Sequence, residues 1–401
     1  MSRASETPPV RCAASLSTRN RTADAIAETL ADVTSQLGGP ATLALVFASP
    51  QHLDQLGEHV AELSDRLGTG QLAACTAESI VGGAREIEGG PALTLWAARL
   101  PCQPTTFRMT FRRTPEGGVI EGWPDEVLDG WSPGSALLIL GDPYSFPADF
   151  LLERLNEDRP GTTVVGGMAS AGSAPGENRL VAGSQVFSDG AVAIWLPGPV
   201  PLRTVVSQGC RPVGQPFVVT RAEQNVLLEL GGRPALAQLK KVFDELPTRE
   251  QQLFQRGLHV GRVVSEYRES FGAGDFLIRN VVGIDPRNGA VAVGDFIRPG
   301  QTVQFHLRDQ ETADDDLRQL LRVLATDSCV TPAGALLFTC NGRGTRLFAQ
   351  PDHDAACVRA ALGEIPVAGF FAAGELGPVG RENFMHGFTA SLAVFTQSPT
   401  T

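Results

Sequence analysis

Three short, largely apolar runs recur along the chain, at Leu43–Ala48, Ala136–Leu140 and Ala335–Cys340. Each has the length of a strand, and an unbroken apolar run of that length fits a strand covered on both faces. After the first run, Ser49-Pro50 makes a cap-and-first-turn pair for a helix. Leu53, Leu56, Val60, Leu63 and Leu67 follow at steps of three and four, which predicts an amphipathic helix with one buried stripe, ended by Gly68. The run Gln71–Ala74 leads into a small-residue loop, Cys75-Thr76-Ala77-Glu78-Ser79, and then to a strand over Ala92–Ala97. In the second copy Pro147 opens a helix carrying Phe150, Leu151 and Leu155. Thr163–Val165 is a strand, Gly166-Gly167-Met168-Ala169-Ser170-Ala171-Gly172 the loop, and Ala191–Leu196 the closing strand. In the third, Pro351 opens a helix with Ala355, Val358 and Leu362 on one face. Val367–Phe371 leads into Ala372-Ala373-Gly374-Glu375, and Thr389–Phe395 closes the copy.

Opening strand and loop are separated by roughly 32–37 residues in all three copies, the mark of an internal repeat. Residues 202–330 fit less cleanly. Strands are expected at Phe217–Thr220, Val226–Leu230, Val260–Val264, Phe276–Val282, Ala290–Phe296 and Thr302–Leu307, with a helix opened by Pro234. Asp285-Pro286-Arg287-Asn288-Gly289 is a hairpin signal. This region could be a degenerate fourth copy. A further helix is expected over 314–326, with Asp314–Asp316 at its positive N-terminus rather than on a metal. The fold class is α/β (α+β), built from repeated strand-helix-strand-strand units in two sheet-based halves with packed helices. The Pro- and Gly-containing stretch 197–215 separates a half over 26–200 from one over 215–398, and residues 1–25 are expected to be a flexible tail.

Composition narrows the function classes. The 401 residues are 42% hydrophobic and 19% charged, with a net charge of -11. An acidic surface repels phosphate backbones and anionic lipid, so nucleic acid and membrane are not expected partners. Seven cysteines without a CxxC pair read as reduced thiols, not as a disulfide framework or a zinc site. The N-terminus has no apolar signal segment and no run reaches transmembrane length, so a cytoplasmic location is expected. Abundant Ala, Gly and Arg with few Lys suit a GC-rich bacterium. HExxH, GxSxG and phosphate-loop signatures are absent from the sequence. No cofactor or metal is expected, and the chain does not read as an enzyme. His52 and His59 lie off the buried stripe of their helix and read as surface residues.

The segments LALVFASPQHLDQL, LAACTAESIVGG and VVGGMASAG in the first half resemble the N-terminal module of the FIST family. The second half, through FLIRNVVGIDPRNGAVAVGDFIRPGQTVQFHLRD, ALLFTCNGRG and FFAAGELGPVGRENFMHGFTASLAVF, resembles its C-terminal module. The resemblance covers residues 40–396 and implies an intracellular sensory protein that binds a small ligand, an amino acid or related metabolite. In the family the module is often joined to output domains. Since none is recognisable here, a separate signalling partner is expected. The first loop departs from the family pattern: Cys75-Thr76-Ala77-Glu78-Ser79 does not have Gly and Glu where they are expected, whereas Ala373-Gly374-Glu375 fits it.

Small-residue loops after buried strands let a ligand approach the backbone, which makes Cys75, Thr76, Gly166, Gly167, Ser170, Gly374 and Glu375 candidate binding residues; tight packing is the bland alternative. Cys340, Asn341 and Arg343 leave a buried strand into a Gly-flanked turn. Arg343 could clamp a carboxylate through both nitrogens or pair with a neighbour such as Glu375, and Cys340 is either a reactive thiol or a core residue. Arg279, inside an apolar strand, must be paired, with Asp285 as the structural choice, or line a cavity. His386 completes the set. Two rival readings remain: a protein-interaction scaffold, and an enzyme using Cys340 or Cys75 with His386 and Glu375.

Overall fold

A computed structural model describes residues 8–115, 117–267 and 271–397. The chain forms two compact bodies, one from the chain up to residue 206 together with residues from 317 on, the other from 207–316. The first body contains the three repeated units. Each opens with a leading strand (Arg11–Ser17, Thr105–Thr114, Leu202–Ser207). An opening strand (Leu43–Ala48, Ala136–Gly141, Pro332–Cys340) and a second strand parallel to it (Leu72–Thr76, Thr163–Met168, Val367–Ala372) follow, joined through helical segments. A two-stranded hairpin and a closing strand (Leu93–Arg99, Ala191–Leu196, Ala390–Thr396) complete the unit.

Sheet order from the leading strand on is the same in all three: leading, closing, opening, second, and then a hairpin that comes from another unit; the second sheet adds one edge strand, Gly117–Glu121, outside its leading strand. The first unit's hairpin, Ser79–Gly82 and Arg85–Glu88, joins the third unit's second strand. The third unit's hairpin, Glu375–Val379 and Glu382–His386, joins the second unit. The second unit's hairpin, Leu180–Ala182 and Gln185–Phe187, joins the first. The exchange closes on itself.

Alternation along the opening strands explains their unbroken apolar character. Leu43, Leu45, Phe47, Leu138, Leu140, Leu336 and Phe338 enter one core common to the three sheets. There Phe47 meets Phe338 and Phe370 at 6.3 and 5.1 Å between ring centres. The alternate residues face three outer cores. Ala44 and Val46 pack with Leu63 and Leu67, Leu137 and Ile139 with Leu151 and Leu155, and Ala335 and Leu337 with Ala355 and Val358.

Residues 207–316 follow the third unit's leading strand and end within the helix Gln310–Thr326. Their sheet runs Cys210–Glu223, Thr302–Arg308, Leu258–Val263, Phe276–Asp285, Ala290–Val293, Val226–Leu230, and the pairing of the last with the first closes a barrel. Every described pairing between these strands is antiparallel. The insertion is therefore not a fourth copy, which would need a parallel opening pair. Asp285 and Ala290 face each other across the expected hairpin.

Four expectations are corrected. Arg11–Ser17 is an edge strand paired residue for residue with the closing strand, and Thr22–Leu37 is a helix burying Ala25, Ile26, Leu30 and Val33, so 11–25 is not a tail. Mixed small residues suffice for an edge strand and give no apolar signal. Residues 1–7 of that expectation lie outside the described residues. The first unit's helix is broken into 3-10 turns at Pro50–His52 and Leu56–His59 before the α-helix Val60–Leu67. Gly57 lies under Val186 of the incoming hairpin, where an added Cβ would come within 2.9 Å. His52 is fully buried and meets Thr22 Oγ1 through Nδ1 at 3.0 Å. The helix expected at 314–326 starts at Gln310, and Asp316 within it accepts from Ser207 Oγ and the Gly209 N–H.

Gly166 sits at φ +141°, where a Cβ would stand 1.9 Å from the Ile139 carbonyl oxygen. Gly166→Ala should lower stability by about 3 kcal/mol or more, because backbone would have to move. Gly176→Ala, at φ +83° in open space, should cost only about 1 kcal/mol. Urea unfolding of both variants checks the contrast.

Candidate functional site

The repeat brings its three small-residue loops together. The Ser170 N–H donates to Thr76 O at 3.2 Å, and Ser170 Oγ accepts from the Glu78 N–H at 3.0 Å while donating to Phe371 O. The Met168 N–H donates to Gly374 O at 2.8 Å, and the Ala373 N–H to Met168 O at 3.0 Å. Beside this knot, at the C-terminal end of Pro332–Cys340, lies a buried polar centre.

Arg343 is fully buried there. Its Nε and Nη2 donate to Asp354 Oδ2 and Oδ1 at 2.7 and 2.8 Å. Asp354, also fully buried, accepts in addition from Thr339 Oγ1 at 2.6 Å and His353 Nδ1 at 2.8 Å. The His353 ring stacks on Phe348 at 3.4 Å, and the Arg343 guanidinium lies 5.2 Å from the same ring. The first unit's hairpin supplies Glu86, whose N–H donates to Asp352 Oδ1 at 2.6 Å and whose Oε1 accepts from the Ala355 N–H at 2.8 Å. Glu86 thereby caps the helix His353–Leu362. On the rim, Glu88 accepts from Thr345 N and Oγ1, and Glu78 pairs with Arg346. Glu375, fully buried, accepts from Thr389 N and Oγ1 at 3.1 and 2.7 Å through Oε2.

These contacts set the charges. Burial would raise the Asp354 carboxyl, but the Arg343 guanidinium holds it well below the usual carboxylate range. Burial pushes Glu86 up to about 8, with the Asp354 charge adding to it. Burial likewise pushes Glu375 up to about 8 against the Thr389 hydrogen bonds. Burial alone would lower His353, but its hydrogen bond to Asp354 holds it up at about 10.

The predicted residues divide into groups. Cys340, Asn341, Arg343 and Glu375 belong to the polar centre. Arg343's fork, expected to clamp a ligand carboxylate or pair with Glu375, is taken by Asp354. Thr76 and Ser170 tie the loops together, Thr76 Oγ1 accepting from the Arg179 N–H at 2.9 Å. Gly166, Gly167 and Gly374 stand where strands approach closely: a Cβ on Gly167 would lie 2.9 Å from the Ala372 Cβ, and one on Gly374 3.2 Å from the Met385 sulfur. Cys75 lies in the common core, where burial pushes its thiol well above the ordinary value. His386, opposite Glu375 in the hairpin, donates from Nε2 to Gly377 O at 3.0 Å. Arg279 lies in the inserted barrel and pairs with Asp295 at 3.3 Å, not with Asp285. Sequence reasoning missed Asp354, His353, Thr339, Thr389 and Glu86. Glu86 carries no local signal, because the hairpin exchange brings it from more than two hundred residues away.

Comparison with known proteins matches the FIST N domain to residues 42–233 and the FIST C domain to residues 235–378. The chain belongs to the FIST family. FIST domains are associated with sensing and signal transduction. The chain is 45% identical over 372 residues to Rv0628c, an uncharacterized protein of Mycobacterium tuberculosis, covering 92% of this chain and 96% of that one. It is 42% identical over 375 residues to Mb0898c, an uncharacterized protein of Mycobacterium bovis, covering 92% and 95%. The FIST C match begins inside the inserted body and ends in the third unit's hairpin, so it holds Cys340, Arg343, Asp354 and Glu375. Glu86 falls in the FIST N match. No helix among the described residues is long and apolar enough to cross a membrane.

Asp354→Asn leaves the buried guanidinium without a counter-charge and should cost about 3–5 kcal/mol in urea unfolding. Glu78→Gln, which breaks a pair 56% and 39% exposed, should stay within about 1 kcal/mol. Stability should also fall as pH rises through neutrality. The folded protein holds protons on Glu86 and Glu375 up to about 8, and on His353 up to about 10, whereas the unfolded chain releases them from about 4.3 and about 6.5. The unfolding midpoint should drop between pH 6 and pH 9, and Glu86→Gln should flatten that slope.

Proposed function

We propose that this FIST protein is a sensory module that binds a small polar metabolite of amino-acid size at the polar centre of its third unit, without turning it over. One observation carries this reading. Glu86 Oε2, Asn341 Oδ1, Arg343 Nη1 and Glu375 Oε1 are buried and meet no hydrogen-bond partner among the described residues. Buried polar atoms are nearly always paired, so such a group calls for an explanation. All four belong to residues around the end of one central parallel strand, the place where α/β folds take ligands. A ligand carrying both an acceptor and donors answers them: its acceptor takes the proton of Arg343 Nη1, and its donors meet the oxygens of Asn341 and Glu375. Because Asp354 occupies the rest of the guanidinium, the ligand receives one hydrogen bond from Arg343 and not a bidentate clamp.

A thermal-shift screen of amino acids, small carboxylates and nucleotides tests it. A ligand at a hundred times its dissociation constant should stabilise the fold by about 2.7 kcal/mol. Asn341→Ala, at a partly exposed turn, should weaken that ligand while leaving the melting temperature of the unliganded protein nearly unchanged. No shift with any compound, or a shift indifferent to Asn341→Ala, contradicts the reading.

A further inference from the structure

Among the cysteines, Cys340 has surroundings of its own. Burial pushes Cys12 up to about 12, Cys102 up to about 11 and Cys75 well above its ordinary value, the behaviour of inert core thiols. Cys340 is half-buried at the end of its strand, and three groups lie around it. The Gly342 N–H donates to Sγ at 3.4 Å. The turn is held by the Arg343 N–H on Cys340 O at 2.8 Å, and the Arg343 guanidinium comes near enough for its charge to act on the thiol. The Glu375 carboxyl is held beside Cys340 through Thr389, whose N–H and Oγ1 donate to Glu375 Oε2 and whose carbonyl accepts the Cys340 N–H at 2.9 Å. Two of these neighbours are fully buried and keep a polar atom unmet, Arg343 Nη1 and Glu375 Oε1. A donated N–H and a neighbouring cation favour thiolate, and the thiolate is the reactive form of cysteine.

We propose that Cys340 is a redox-sensing thiol, its sulfur set between the Gly342 N–H, the Glu375 carboxyl and the Arg343 guanidinium and oxidised by a small hydroperoxide to a sulfenic acid. The thiol gives its proton to water, because the Glu375 carboxyl already holds one at pH 7. The thiolate sulfur attacks the distal peroxide oxygen, the S–O bond forms and the O–O bond breaks. The departing alkoxide or hydroxide takes the proton of the neutral Glu375 carboxyl and leaves as alcohol or water, and Glu375 regains a proton from water. Sulfur gives up two electrons and the peroxide takes them. The new sulfenic oxygen finds a donor in Arg343 Nη1, which holds the product in place. This chemistry needs no metabolite in the site, so it stands or falls separately from ligand binding.

The test treats the full chain with hydrogen peroxide at pH 7 in the presence of dimedone and follows each cysteine by peptide mass spectrometry. Exposed Cys329 serves as the internal reference. Cys340 should be labelled roughly tenfold faster than Cys329, and Glu375→Gln should bring its rate down towards that of Cys329. Labelling of Cys340 no faster than Cys329, or only after denaturation, overturns the proposal. Should Glu375→Gln fail to fold by circular dichroism, the ratio of the two rates in the unaltered protein decides alone.

Discussion

A strand buried on both faces still has an edge, and a row of unpaired N–H and C=O groups inside a core is costly. Each unit of this protein ends its own sheet on such an edge, at the second strand. Its own hairpin does not cover it. The hairpin of another unit does, and the three exchanges form a closed cycle. Everything else in the first body follows from that constraint. The opening strands turn one face to a common core and the other to local helices. The small-residue loops meet because each leads from a second strand into a departing hairpin.

The same exchange builds the polar centre. Arg343, Asp354 and Glu375 come from the third unit, but Glu86 and Glu88 arrive on the first unit's hairpin and Glu78 on the loop before it. A buried ion pair by itself adds little net stability, since desolvation offsets attraction. Its worth here is positional: it fixes the turn that carries Cys340 and Asn341 and anchors the helix that Glu86 caps. The centre thus holds a hairpin whose own unit lies elsewhere in the sequence.

The periodicity of the sequence revealed the three units because their strands and helices are each set by local patterning: LALVFA, ALLIL and ALLFTC are strands, and Ala355 and Val358 do face inward. It did not reveal the exchange, because strand pairing between units leaves no mark on either partner's alternation. For the same reason the Gly-rich loops read as open binding turns. Gly166 and Gly167 in fact lie within a strand, where neighbouring chains leave no room for a Cβ. Arg343 was legible as a residue of consequence from its place after a buried strand. Its partner was not, since Asp354 sits among ordinary helix-starting residues. The insertion at 207–316 hid the third unit's leading strand by separating it from the rest of the unit by more than a hundred residues.

The central claim is that the first unit's hairpin is wired into the third unit's polar centre. Hydrogen exchange followed by mass spectrometry over residues 79–88, in the unaltered protein and in Asp354→Asn, tests it most directly. The account predicts that exchange in 79–88 accelerates together with that of 367–372 while 43–48 stays protected. Acceleration confined to 339–362, with 79–88 as protected as before, would contradict it.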